Sequence, residues 1–142
     1  MANIAILGAG NVGANTAFFI AERNIGSVVM YDVQDGLAQG KALDMMEAAP
    51  IRGYQYGISG ASSVEEVLDT HVLVITAGSV REPGMKREDL YTRNIEIIDT
   101  LASQLSGYRG TVVIGTEPVD LMVMRFRESS GFDASRVIGL GG

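Results

Sequence analysis

Cysteine is missing from this 142-residue chain, and it has only one histidine and three prolines. Without cysteine there is no disulfide and no cysteine–zinc site, which fits a reducing compartment. No metal site is assigned. No apolar run approaches the ~20 residues that a membrane-spanning helix needs. The segment from Met1 to Gly10 enters a strand-like run with no basic region or cleavage site, so a cytoplasmic protein is expected. Positive charge is scarce as well, 11 Lys and Arg against 17 Asp and Glu, for a net charge of −6. That balance argues against nucleic acid and anionic membranes as partners. An anionic ligand must then be met by local features, either arginines or helix N-termini.

The remaining composition is that of a soluble globular domain, 46% hydrophobic and 20% charged. Eighteen glycines beside three prolines suggest many tight turns rather than a disordered segment. The length suits one domain, residues 1–142, with its own core.

Short β-branched runs at Ile4–Leu7, Val28–Tyr31, Tyr54–Ile58, Val72–Thr76, Val112–Ile114 and Val137–Leu140 read as buried strands. Helical spacing separates them. Val12, Thr16, Phe19 and Ile20 make one apolar face. Leu90, Asn94, Ile97, Ile98, Leu101 and Leu105 make another, and Val119, Met122, Val123 and Phe126 a third, with Gly131 as its stop. Leu37–Ala49 is a further helix that Pro50 should end, and a short helix is expected around Val64–Leu68. Alternating strands and helices with short joints predict an α/β Rossmann fold. Its six-stranded, doubly wound parallel sheet should run in the order 3-2-1-4-5-6, with helices on both faces.

Gly8, Gly10 and Gly13 form a G-x-G-x-x-G, with Asn11 and Val12 inside it, directly between the first strand and the first helix. In that place the first glycine permits a tight turn and the second lets backbone approach a pyrophosphate. The third lets helix and strand pack closely. Free N–H groups at the helix start then hold phosphate. The alternative is a tight turn with no ligand. Asp32 ends the second strand 24 positions beyond Gly8, where a ribose-binding acid is expected. Its carboxylate would accept from both ribose hydroxyls and repel a 2′-phosphate, favouring NAD over NADP. The alternative is an exposed strand-end acid; Asp35, three residues later, reads as a solvated residue near the next helix start.

The segment from Thr76 to Leu90 follows the fourth strand and carries Arg81 and Arg87 six positions apart on a Gly/Pro-rich loop. Two such arginines suit an anionic substrate, although a solvated charged loop has the same composition. The whole string resembles the mobile active-site loop of the lactate/malate dehydrogenase family, whose malate branch reads approximately T-A-G-x-x-R-K-P-G-M-x-R-x-D-L. Gly40 to Met45 is similar to the family's second helix, G-x-x-x-D-[LM]. Tyr31-Asp32, Pro118-Val119-Asp120 and Arg136-Val137-Ile138-Gly139 match further family segments, so the resemblance covers essentially the whole chain.

The resemblance implies NAD as cofactor, bound by Gly8, Gly10, Asn11, Val12, Gly13, Asp32, Thr76, Ala77, Gly78, Asn94 and Thr116. It also implies a dicarboxylic 2-hydroxy or 2-keto acid as substrate, in the tricarboxylic acid cycle. Arg81 stands where lactate enzymes carry glutamine and would pair with the second carboxylate of malate or oxaloacetate. Arg87 would polarise the reacting carbonyl. Glu117 replaces the family's asparagine before a proline whose peptide bond is cis in the family; a glutamate there cannot donate and would repel a dicarboxylate. The family's catalytic histidine, its aspartate partner and a carboxylate-clamping arginine would lie beyond Gly142. The chain alone is therefore expected to bind NAD and to turn over little or nothing. His71, the one histidine, reads as structural or surface-exposed. Family members assemble through the helices around Lys41–Met46 and Asn94–Leu105, which makes a homo-oligomer plausible. A non-catalytic dinucleotide-binding module descended from such an enzyme is the competing reading. A methyltransferase binding S-adenosylmethionine also uses a glycine turn and a strand-end acid, but has no need of the Arg81–Arg87 loop.

Overall fold

Most of the strands carry apolar side chains on both faces, so the sheet must be covered on both sides, and parallel strands joined by helices achieve this. The computed structural model describes residues 1–141. Strands β1 (Ala2–Leu7), β2 (Gly26–Tyr31), β3 (Ile58–Gly60), β4 (Val72–Ile75), β5 (Thr111–Ile114) and β6 (Val137–Gly139) form one sheet in the order β3-β2-β1-β4-β5-β6. Every pairing is parallel. This is the expected Rossmann order. Leu7 lies level with Tyr31 and Ile75, and Ile75 with Ile114, so four strands end along one edge.

Helices α1 (Asn11–Glu22) and α2 (Leu37–Glu47) pack on one face over Ile6, Val28, Met30 and Ile58. Helices α4 (Arg87–Gln104) and α5 (Val119–Ser130) cover the other over Leu7, Leu73, Ile75, Val112 and Ile114. Between α4 and α5 the Arg125 guanidinium meets the Asp99 carboxylate through two hydrogen bonds, of 2.6 and 2.7 Å. That contact holds the Asp99 carboxyl below the usual carboxylate range, with help from the Ser129 hydroxyl. Gly131, at φ 68°, ends α5 as expected.

Three expectations need correction. The buried face of α1 is Gly13, Ala14, Ala17 and Ala21, whereas Val12 and Phe19 are 66% and 52% exposed. Small residues let this helix lie close against the sheet, and bulkier ones at neighbouring turns are turned outward. The third strand begins at Ile58, not Tyr54. Gly53, at φ 76°, swings the chain so that Tyr54 is buried under α2 and donates its hydroxyl to the Met45 carbonyl. Alternating Tyr54 and Tyr56 mimic a strand, but their backbone pairs with none. Pro50 does not simply end a helix either. It sits in the first turn of α3 (Ala49–Arg52), where its missing N–H leaves no helical bond unmade. The remaining strand and helix limits differ from expectation by a residue or a few, the scale of fraying at element ends.

No described helix is long and apolar enough to cross a membrane.

Candidate functional site

Because β1, β2, β4 and β5 end level, the segments after them converge on one edge, beside the point where the strand order reverses. The three glycines after β1 have three different roles. Gly8 has φ 106°, and a Cβ there would stand 2.5 Å from the Ala77 nitrogen. At Gly13 a Cβ would fall 1.8 Å from the Gly8 oxygen and 2.6 Å from Thr76 Oγ1. These two are demanded by the fold itself. Around Gly10 nothing lies within 4 Å of a would-be Cβ, so its bare backbone faces open space. Gly10 is also the N-cap of α1 and carries no side-chain cap, which leaves the helix's first amides free for a ligand.

Asp32 is held by the same turn. Its Oδ2 accepts from the Ala9 N–H at 2.7 Å and its Oδ1 from the Gln34 N–H at 2.9 Å. A carboxylate has about four acceptor directions, so two remain for a ligand's hydroxyls. Asp35 is exposed and stands apart. On the other side of the turn, Lys41 of α2 donates from Nζ to the Ala9 carbonyl at 2.6 Å. Sequence reasoning gave Lys41 no part in the site, since nothing local links a lysine in the second helix to the glycine turn.

Gly8, Gly10 and Asp32 line a cleft of about 580 Å³, within the range of small-molecule sites. Thr76, Ala77, Gly78 and Ser79 form its floor beyond β4. Tyr31 and Val33 flank Asp32, and α4 contributes Arg93, Glu96, Ile97 and Thr100 as the far wall. Apart from Gly8, Gly10, Asp32 and the Thr76–Gly78 segment, these residues were not foreseen as part of a site. The available signal was Ile97, which beside Ile98 makes the apolar face of that helix wider than a single stripe.

Asn94 and Thr116 lie behind the cleft with their polar atoms committed to backbone. Asn94 is 2% exposed; its Oδ1 accepts from the Ser79 N–H and its Nδ2 donates to the Glu117 carbonyl, both at 2.8 Å. Thr116 is buried and donates from Oγ1 to the Ala77 carbonyl at 2.7 Å. Both therefore shape the segments after β4 and β5 rather than offering free groups. Asn11 and Val12 are exposed on the first turn of α1. The Glu117–Pro118 bond is cis, and the Glu117 residue is exposed.

The two loop arginines are not gathered into the cleft. Arg81 is exposed and donates from Nε to the Met85 carbonyl at 3.1 Å, closing the loop on itself. Arg87 opens α4, is exposed, and joins no ion pair among the described residues. Both still project from the edge that bears the cleft. His71 is at the opposite edge, where its Nδ1 accepts from the Asn3 N–H at 3.0 Å in an exposed position. Among the described residues no group of three His, Cys, Asp or Glu side chains is placed to hold a metal ion.

The family model for the NAD binding domain of lactate/malate dehydrogenase matches residues 2–139. The chain belongs to the lactate/malate dehydrogenase family. NAD is the coenzyme of this domain family, and the residues at the edge fit it: a bare Gly10 backbone, uncapped helix amides and a pre-positioned Asp32. A malate dehydrogenase of Methanosarcina barkeri is 42% identical over 144 residues, covering 100% of this chain and 47% of that protein. The apo malate dehydrogenase structure from Picrophilus torridus is 39% identical, with a TM-score of 0.90 over 99% of this chain and 46% of that one. The lactate dehydrogenase of Cryptosporidium parvum, solved with lactic acid and NAD, is 31% identical with a TM-score of 0.92, over 99% and 45%. The chain thus spans about half the length of the relatives it matches.

Proposed function

We propose that this chain, as one domain, is the coenzyme half of an NAD-dependent malate dehydrogenase. The observation that carries the reading is the pairing, on one cleft, of the open Gly10 backbone with an Asp32 carboxylate fixed by the Ala9 N–H. Gly10 and the free amides of α1 would hold the pyrophosphate. Asp32 would accept from the adenosine ribose hydroxyls and exclude a 2′-phosphate. Thr76, Ala77 and Gly78 would line the coenzyme, with Asn94 and Thr116 fixing that segment from behind. When bound, NAD supplies the hydride acceptor or donor for a dicarboxylic 2-hydroxy or 2-keto acid. Arg81 would pair with the second carboxylate of malate or oxaloacetate, and Arg87 would stabilise charge developing on the reacting oxygen, once the loop closes. His71 stands at the wrong edge to move the substrate proton, so this chain by itself is proposed to bind NAD without appreciable turnover.

The reading includes a cytoplasmic location, a place in the tricarboxylic acid cycle, and no nucleic-acid or membrane partner, in keeping with the net charge of −6. Self-association through α2 and α4 is also included, supported on α2 by the 64% exposure of Leu43.

One residue favours a second reading, a binding module that no longer performs the chemistry. Glu117 places a carboxyl group where an amide donor would serve a dicarboxylate. Calorimetric titration with NADH and then NADPH, on the wild-type chain and on Asp32→Ala, tests what the two readings share. Saturable NADH binding, weaker NADPH binding and a loss of about tenfold or more in the variant are expected. Equal binding of both nucleotides, or a variant that binds like wild type, would overturn the assignment of Asp32 and the choice of NAD.

A further inference from the structure

We propose that Lys41 is a positioning residue of the pyrophosphate site, aiming the Gly10 N–H into the cleft by holding the Ala9 carbonyl. The inference rests on the dinucleotide reading of that cleft. A trans peptide unit is planar, with its C=O and N–H pointing in opposite directions. The Lys41 ammonium draws the carbonyl of the Ala9–Gly10 unit toward α2 at 2.6 Å. The N–H of the same unit, that of Gly10, must then point the other way. Gly10 lines the cleft and has nothing within 4 Å of its would-be Cβ. The preceding unit is fixed from its own side, because the Ala9 N–H donates to Asp32 at 2.7 Å. The two peptide planes of the turn are thus set by two side chains of opposite charge, 32 and 23 residues away in sequence.

A second physical effect adds to the orientation. An ammonium on a carbonyl oxygen polarises the whole amide and makes its N–H a stronger donor. Lys41 has no carboxylate within 4.0 Å among the described residues, so its charge is not cancelled locally. In a chain of net charge −6, this half-buried cation therefore sits one peptide unit from the position where two phosphates would lie. A simple tie between α2 and the turn would need a hydrogen bond but no surviving positive charge.

The test uses the full chain labelled with 15N and compares wild type, Lys41→Met and Lys41→Arg. Each is titrated with ADP, which carries the diphosphate, and with adenosine, which does not, following amide shifts. In Lys41→Met, ADP binding is expected to weaken about tenfold, the scale of one charge-assisted hydrogen bond. Adenosine binding should stay unchanged and the Gly10 amide resonance should move in the ligand-free spectrum. Lys41→Arg, which keeps charge and donors, should restore ADP binding. The inference is overturned if ADP binding survives in Lys41→Met, or if adenosine binding falls in parallel with it. It is also overturned if Lys41→Arg behaves like Lys41→Met while both retain the wild-type spectrum of the sheet. If wild type binds neither ADP nor NADH, the dinucleotide reading itself fails, and that outcome is identified before any Lys41 variant is compared.

Discussion

The Asn94 side chain joins two segments that the chain keeps far apart, donating to the Glu117 carbonyl and accepting from the Ser79 N–H. It is buried in α4 at 2% exposure, so its own amide has no water to fall back on. The segments after β4 and β5 are thereby held at one separation. Replacing Asn94 by Leu should destabilise the fold by about 1–3 kcal/mol, since a part-buried donor and a part-buried acceptor lose their partner together. Asn94→Asp should restore the Ser79 contact but set a carboxylate against the Glu117 carbonyl. Urea unfolding of the two variants checks this, and a loss near zero in Asn94→Leu would mean that other groups hold the loops.

Two glycines of the same motif should respond in opposite ways. Gly13→Ala puts a methyl group 1.8 Å from the Gly8 oxygen, so the turn must open and stability should fall by at least about 3 kcal/mol. Gly10→Ala meets nothing within 4 Å and has φ −66°, which alanine adopts readily, so stability should change by under about 0.5 kcal/mol. Its methyl would instead stand where a phosphate must approach, and NADH binding should be lost. Thermal unfolding beside NADH titration separates the effects; a Gly10→Ala chain that binds like wild type would place the ligand elsewhere.

Tyr108 offers a prediction about pH. Its side chain is buried at 2% exposure and its hydroxyl has no hydrogen-bond partner among the described residues. The Thr70 hydroxyl beside it donates instead to the Val67 carbonyl at 2.8 Å. Burial pushes the Tyr108 hydroxyl above the usual tyrosine range. A raised folded value means that the native state prefers the neutral phenol. That contribution is complete below the unfolded tyrosine value and is lost as pH rises through the folded one. Tyr108→Phe should therefore be neutral to about 1 kcal/mol stabilising at pH 7 and should flatten the alkaline loss of stability. Denaturant midpoints from pH 7 to pH 11 test it. A variant less stable than wild type at pH 7, with an unchanged alkaline slope, would show that the hydroxyl is bonded.

The elements of this fold, their order and the glycine turn are written in short stretches of chain. Short β-branched runs, helical spacing and three glycines between a strand and a helix are local patterns, and the physics behind them acts over a few residues. Asp32 was legible for the same reason, as an acid at the end of a strand. Which face of α1 is buried was not, because Val12-Phe19 and Ala14-Ala17-Ala21 both have helical spacing. Only contact with the sheet selects the smaller side chains. Tyr54 reads as strand until α2 is there to cover it, and Asn94 reads as one more position on an apolar face until Ser79 and Glu117 reach it. Lys41 is the clearest case. Its hydrogen bond spans 32 residues and exists only because β1 and β2 are neighbours and the chain after β2 folds back toward the turn that follows β1. Sequence alone therefore determined the family, the sheet and the glycine turn. Tertiary structure decided which polar side chains face the cleft and which hold the backbone around it, because a side chain's partners are set by packing between distant segments.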